Sequence, residues 1–177
     1  MTMDQAIANK PTVGKPIVHI DDVPLRRQAH GHSFDAQLGS IGALIGARKL
    51  GYRLIVLPPG KRAFPFHAHH ANEEMFFVIE GSGKYRRGTQ IWPVRAGDVI
   101  SASAGGHDSA HQFVNDSDAE LRYLAVSTML EPDVIEYPDS KKFAVFSGAA
   151  PGGDKAQRTF SICSRTRDAV EYWEGED

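Results

Sequence analysis

The segment Phe66-His67-Ala68-His69-His70-Ala71-Asn72-Glu73-Glu74-Met75-Phe76-Phe77-Val78-Ile79-Glu80-Gly81 sets three histidines and the pair Glu73-Glu74 just ahead of a short apolar run. Imidazole nitrogen and carboxylate oxygen are the donors that borderline divalent metals accept. On a strand, His67 and His69 point to the same face because side chains alternate with a period of two. Glu74 is an odd number of residues past His69, so an unbroken strand would turn it away. A turn over His70-Ala71-Asn72-Glu73 returns it to the histidine face at the head of a second strand. Phe76 and Val78 then share its face, while Met75, Phe77 and Ile79 fill the other. His70 and Glu73 are read as turn residues rather than ligands.

Outward from this segment, Tyr52-Arg53-Leu54-Ile55-Val56-Leu57 reads as a strand closed by Pro58-Pro59-Gly60. Downstream strands are expected at Lys84–Arg86, Gln90–Val94, Val99–Ser101, His111–Val114 and Leu121–Ser127, with turn signals at Gly81-Ser82-Gly83, Gly88-Thr89, Ala96-Gly97-Asp98 and Asn115–Asp118. Short strands with recurrent turn signals make an all-β sandwich or barrel. Ile17–Ile20 reads as a short strand, and Arg27–Ser40 shows no period. Ile41–Leu50 is read as two short strands around Gly46 rather than a helix, since each interior glycine costs a helix about 1 kcal/mol relative to alanine. Towards the end of the chain, Phe143–Phe146 and Thr159–Cys163 read as strands, Ala149–Asp154 as a loop, and Glu171–Asp177 as an acidic arm carrying Tyr172-Trp173. Both faces of Met75–Ile79 and of Leu54–Leu57 are apolar. The face outside the core needs cover from terminal arms, a second sheet or a partner subunit, and a homodimer is expected.

At 177 residues the length suits one domain, and a formal net charge of −2 gives no nucleic-acid footprint. Cys163 is the only cysteine, which excludes an intrachain disulfide and a thiol-ligated metal site. Met1–Lys10 is polar without an apolar core of its own, and no apolar stretch reaches transmembrane length. The expectation is a soluble cytoplasmic protein with a small-molecule substrate and neither nucleic-acid nor membrane partners.

His111 is the expected fourth ligand: it opens a strand after a Gly-rich loop, and two hairpins can bring it opposite His67, His69 and Glu74. Three histidines and one carboxylate suit a divalent metal ion (Fe, Mn, Zn or Ni), and donor type does not choose among them. Pro59-Gly60, His67-x-His69, Glu74 and Gly81 resemble the first motif of the cupin superfamily, and Gly97-Asp98-Val99, His111 and Asn115 resemble its second. The second motif departs from the family pattern at Ser103, where a proline is usual. Its Gly105–Ala110 approach is also longer, which makes His107 a rival to His111. His111-Gln112-Phe113-Val114-Asn115 fits the family's ending better.

The resemblance implies a double-stranded β-helix, the cupin jelly-roll barrel, with extended N- and C-terminal arms and a metal in its open mouth. It divides the chain into an N-terminal arm with short strands (1–40), the barrel core (41–130) and a C-terminal extension (131–177) that packs on the barrel or on a partner subunit. Residues 46–52, 60–67 and 121–129 are similar to single-barrel bacterial cupins labelled sugar-phosphate or mannose-6-phosphate isomerases. That label implies a metal-dependent enzyme on a small polar metabolite, with His107 and Asp108, or Glu73, as acid–base groups. Two other functions share the same ligands: an iron-dependent dioxygenase, and a binding or sensing cupin without turnover. Lys61-Arg62 and Arg53 flank the first motif, where a phosphate-bearing substrate would need positive charge; they are read as an ordinary charged turn.

Overall fold

Alternation along Leu50–Leu57 and Leu121–Thr128 gives each segment one face for a barrel interior, and the two segments pair with each other. The computed structural model describes residues 15–176. The expected loose N-terminal arm lies largely outside these residues. The strands are β1 (Arg26–His30), β2 (Phe34–Ser40), β3 (Leu50–Leu57), β4 (Ala68–His69), β5 (Glu74–Glu80), β6 (Ser82–Arg87), β7 (Gln90–Arg95), β8 (Val99–Ala102), β9 (His111–Val114), β10 (Leu121–Thr128), β11 (Asp133–Tyr137), β12 (Lys142–Ser147) and β13 (Phe160–Arg165), with one short helix, α1 (Ile41–Ile45). One sheet runs β1-β2-β3-β10-β5-β8, a second β7-β6-β9, and a third β13-β12-β11-β4. All the strand pairings are antiparallel. An antiparallel bridge between His67 and His111 joins the second and third sheets. The six-stranded sheet faces this composite one across the core, as in a double-stranded β-helix. Among the described residues no helix is long and apolar enough to cross a membrane.

The interior is filled from both sheets by Ile55, Leu57, Phe76, Val78, Tyr85, Phe113, Leu121 and Tyr123. Phe113 stacks on Tyr123 with ring centroids 4.2 Å apart, and Phe76 meets Phe113 edge-on at 5.1 Å, the offset arrangements that aromatic quadrupoles favour. The outer face of β3 carries Leu54 and Val56, which are buried under Val23 and Ile41. The outer face of β5 is covered less well. Met75 and Phe77 remain 37% and 38% exposed, and Val99, opposite Phe77 on β8, is 70% exposed.

Two sequence expectations are corrected near the N-terminus. Ile17–Ile20 is not a strand; the chain makes a 3-10 turn at Ile20–Asp22. Residues 41–45 form a helix instead of a strand, because Gly46 does not sit inside it. Gly46 ends it at φ 77°, in the left-handed region that glycine adopts without strain. The 27–40 region, in which no period is visible, is the β1–β2 hairpin turning at Gly31. Residues beyond 131 supply β11–β13, and β11 pairs with β4, the strand that carries His69.

Candidate metal centre

The backbone register alone brings two of the expected ligands together. His67 N–H donates to the His111 carbonyl at 3.2 Å, and His111 N–H donates to the His67 carbonyl at 2.8 Å. The two residues are therefore directly opposed, with side chains on one face, and their rings lie 4.9 Å apart. His69, two residues on, shares that face, its ring 5.0 Å from that of His67.

The polar turn after His69 is built from side chains as well as backbone. Asn72 is buried. Its Oδ1 accepts from Leu130 N–H at 2.7 Å and from the Thr128 hydroxyl at 3.0 Å, while its Nδ2 donates to the Leu130 carbonyl at 3.1 Å. Glu73 N–H donates to Thr128 Oγ1 at 3.0 Å. This clamp fixes the phase in which β5 starts, and Glu74, not Glu73, enters the interior. Glu73 is exposed.

His67, Glu74 and His111 offer ligand atoms that all lie within 4.8 Å of one another. His69 borders the group, its Nε2 3.6 Å from Glu74 Oε2. Each histidine is oriented through its other nitrogen. His67 Nδ1 donates to the Pro65 carbonyl at 2.8 Å, His111 Nδ1 donates to the Ser109 carbonyl at 3.3 Å, and His69 Nδ1 donates to the Asp133 carboxylate at 2.7 Å. In the neutral ring this leaves the lone pair on Nε2. His111 Nε2 then faces Glu74 Oε2 at 3.0 Å, with His69 Nε2 turned to the same oxygen. Lone pairs and a carboxylate meeting at one point are held together only by a cation, either a proton or a metal ion. The donor set fits a metal: imidazole nitrogens and a carboxylate oxygen, each imidazole steered by an outer partner.

The electrostatics follow from burial. The buried His67 imidazole is pushed down to about 3, with His111 and His69 adding to the effect of desolvation, so it stays neutral. Burial also opposes charge on His69, but the Asp133 hydrogen bond and the Glu74 charge outweigh it and hold that imidazole above its usual value. Burial would raise Glu74, yet the His111 hydrogen bond and the three neighbouring imidazoles bring its carboxyl down to about 2. Asp133 is fully buried, accepting from Ala71 N–H at 2.9 Å as well as from His69. Sequence reasoning missed it. The only signal was chemical, since a ligating imidazole needs a partner for its second nitrogen, and nothing in spacing locates that partner 64 residues away.

The cluster lines a cavity of about 590 Å³. Its apolar wall includes Ile55, Phe64, Tyr123 and Ile135, and Arg53 and the 151–154 loop border it as well. His107 and Asp108 do not contribute to it. Both are exposed, in a 3-10 turn over His107–Ser109, whereas the sequence expectation has them as acid–base groups.

Residues 53–127 match the family profile described as the cupin domain. This part of the chain is a cupin domain. The cupin domain is 30% identical over 74 residues to an oxalate-binding protein of Thermotoga maritima, an alignment covering 42% of this chain and 58% of that relative. The chain thus spans little more than half the length of this curated relative. In three dimensions the resemblance is longer. A nominal sugar phosphate isomerase from Acidithiobacillus ferrooxidans superposes with a TM-score of 0.73 at 24% identity, over 89% of this chain and 96% of that one. A cupin-superfamily sugar phosphate isomerase from Silicibacter pomeroyi superposes with a TM-score of 0.71 at 21% identity, over 90% and 98%. At these identities the two structures establish the fold.

Proposed function

We propose that this cupin is a metal-dependent enzyme acting on a small polar metabolite, with sugar-phosphate isomerisation as the leading chemistry. The observation that carries the reading is the convergence of the His67, His69 and His111 Nε2 atoms with Glu74 at the wall of an otherwise largely apolar cavity. A divalent ion held by these four residues would supply Lewis acidity towards a carbonyl or hydroxyl oxygen. The chain's own part is to orient the ligands and exclude bulk water. The names of the two long structural relatives favour a phosphorylated sugar. Elemental analysis of natively purified protein, followed by assay across hexose and pentose phosphates, tests the proposal. Metal-dependent aldose–ketose interconversion is expected, and a metal-loaded protein inert on the whole panel would sink it.

A second reading is favoured by the positions of His107, Asp108 and Glu73, all of which are exposed and outside the cavity. Isomerisation needs a proton carrier beside the substrate. Apart from the metal cluster itself, the ionisable groups lining the cavity are Tyr52, Tyr123, Tyr137, Arg48, Arg53 and Asp154. Burial raises both Tyr123 and Tyr137, which makes them poor bases. An iron-dependent dioxygenase would not need such a base. Iron at the centre together with substrate-dependent oxygen uptake would replace the isomerase reading. The homodimer belongs to the same proposal, with Met75, Phe77 and Val99 as the face to be covered. Light scattering should give twice the chain mass, and half that value for Phe77→Lys.

A further inference from the structure

Three strand arginines of this fold find carboxylates. Arg27 pairs with Asp35 at 2.9 Å, Arg86 with Asp139 at 2.7 Å, and Arg122 with Asp21 at 3.2 Å and Glu80 at 3.4 Å. Arg53 shares its strand face with Ile55 and Leu57, which belong to the barrel interior, so its side chain enters the cavity. Among the described residues it has no carboxylate partner. Its one hydrogen bond runs from Nη2 to the Gly152 carbonyl at 3.3 Å. Asp154, which also lines the cavity, is already engaged, accepting from Ala156 N–H at 3.0 Å and from Gln157 Nε2 at 3.5 Å. Burial lowers the Arg53 pKa, with Glu74 opposing the effect, yet a guanidinium stays charged in proteins. A half-buried guanidinium with a single long bond to a carbonyl has most of its five donors available.

The register places this cation relative to the metal cluster. Arg53 pairs with Ala125, and Ala125 pairs with Phe76, which shares the interior face of β5 with Glu74. Arg53 and Glu74 thus face one cavity from strands separated by β10, about 10 Å apart across the sheet. One pole of the cavity offers ligand atoms for a metal. The other offers a planar fork of N–H donors, with the apolar side chains of Ile55 and Tyr123 among its walls.

We propose that Arg53 is the oxyanion anchor of this cavity: it takes the carboxylate or phosphoryl oxygens of a small substrate whose opposite end reaches His67, Glu74 and His111. The inference rests on the reading of this cavity as the substrate site. It narrows the substrate class to anions and leaves neutral sugars and polyols as poor ligands. Fork-to-oxyanion contacts are bidentate, so lysine reproduces the charge without the geometry.

The test is calorimetric titration of the purified full chain with inorganic phosphate, malonate and glycerol, using wild type, Arg53→Gln, Arg53→Lys and Lys61→Gln. Metal content is measured for every sample, and the titrations are repeated on chelator-stripped protein to remove direct anion–metal contacts. Wild type is expected to bind at least one of the two anions and not glycerol. Arg53→Gln should weaken anion binding tenfold or more with metal content unchanged, Arg53→Lys should recover part of it, and Lys61→Gln should behave as wild type. Selective loss for phosphate or for malonate identifies the oxyanion. Equal anion binding by wild type and Arg53→Gln in the stripped protein overturns the anchor, even if metal is fully bound. Arg53-dependent binding in a protein that never retains metal upholds the anchor and overturns the metal reading. If Arg53→Gln does not fold, the lysine variant decides: undiminished affinity for both anions excludes the fork.

Discussion

Two stretches of this chain combine histidine with carboxylates and meet opposite fates. In the stretch from His67 to Glu74, each candidate ligand ends in the interior. In Gly105–Ala110, His107 and Asp108 end in solvent. The difference lies in what holds the backbone. His67 is locked to His111 by two reciprocal hydrogen bonds, and the turn before Glu74 is clamped by Asn72 and Thr128. The loop at 105–110 is anchored at its ends, through Gly105 N–H to the His69 carbonyl and Ser109 to Gly106, while the two residues between carry no side-chain partner that would turn them inward. Side-chain direction is determined where a ladder sets the pleat, and spacing can then be read as geometry. In a loop the same residue types carry no such information.

The sharpest way to break this contrast is to remove the ladder-held ligands. His67→Ala combined with His69→Ala should abolish stoichiometric metal, and elemental analysis showing full retention would overturn the assignment. A smaller effect is expected one step outward. Asp133→Asn leaves all four candidate ligands in place but weakens the hold on His69, and metal affinity should fall by about 10–100-fold in a competition titration. Unchanged affinity would mean that the ring needs no orienting partner.

Acid titration probes the same side of the contrast. The Glu74 carboxyl is depressed to about 2 from an ordinary 4.5. A depressed carboxyl adds stability that is present above its unfolded value and lost as pH falls through the folded one. Metal-free protein should therefore lose up to about 3 kcal/mol from this group between roughly pH 4.5 and 2. Glu74→Gln should flatten that part of the profile in denaturant melts, and an identical profile would remove Glu74 as its source. The smallest effect belongs to the loop. His107→Ala and Asp108→Ala should change stability by no more than about 0.5 kcal/mol, the usual range for exposed positions, with metal content unaltered. A large loss of metal in either variant would move that loop into the site.

The parts legible in the sequence are those governed by periodicity and turn chemistry. The phase argument that selects Glu74 over Glu73 agrees with the structure because the four residues after His69 do form the turn, and the strands from Tyr52 to Ser127 lie within one or two residues of their expected limits. The β1–β2 hairpin escaped because β1 is exposed along its whole length, so no alternation marks it. Helix α1 is hidden because its terminator, Gly46, is indistinguishable in sequence from an interior glycine. Asp133 and Arg53 escaped for a different reason. The role of each depends on which distant strand becomes its neighbour, and pairings such as β11 with β4 leave no local trace. Sequence alone gives Arg53 as one charge beside a turn; the register of β3 sets it on the face of Ile55 and Leu57.

The His67–His111 bridge has one more consequence. It closes a loop of more than forty residues with backbone hydrogen bonds, so the entropy of bringing two of the ligands together is spent when the chain folds, before any ion arrives. An ion captured there would find its donors already ordered and would act as a cross-link between the first and second motifs. By linkage its affinity would appear as added resistance to unfolding, growing with the logarithm of free metal concentration.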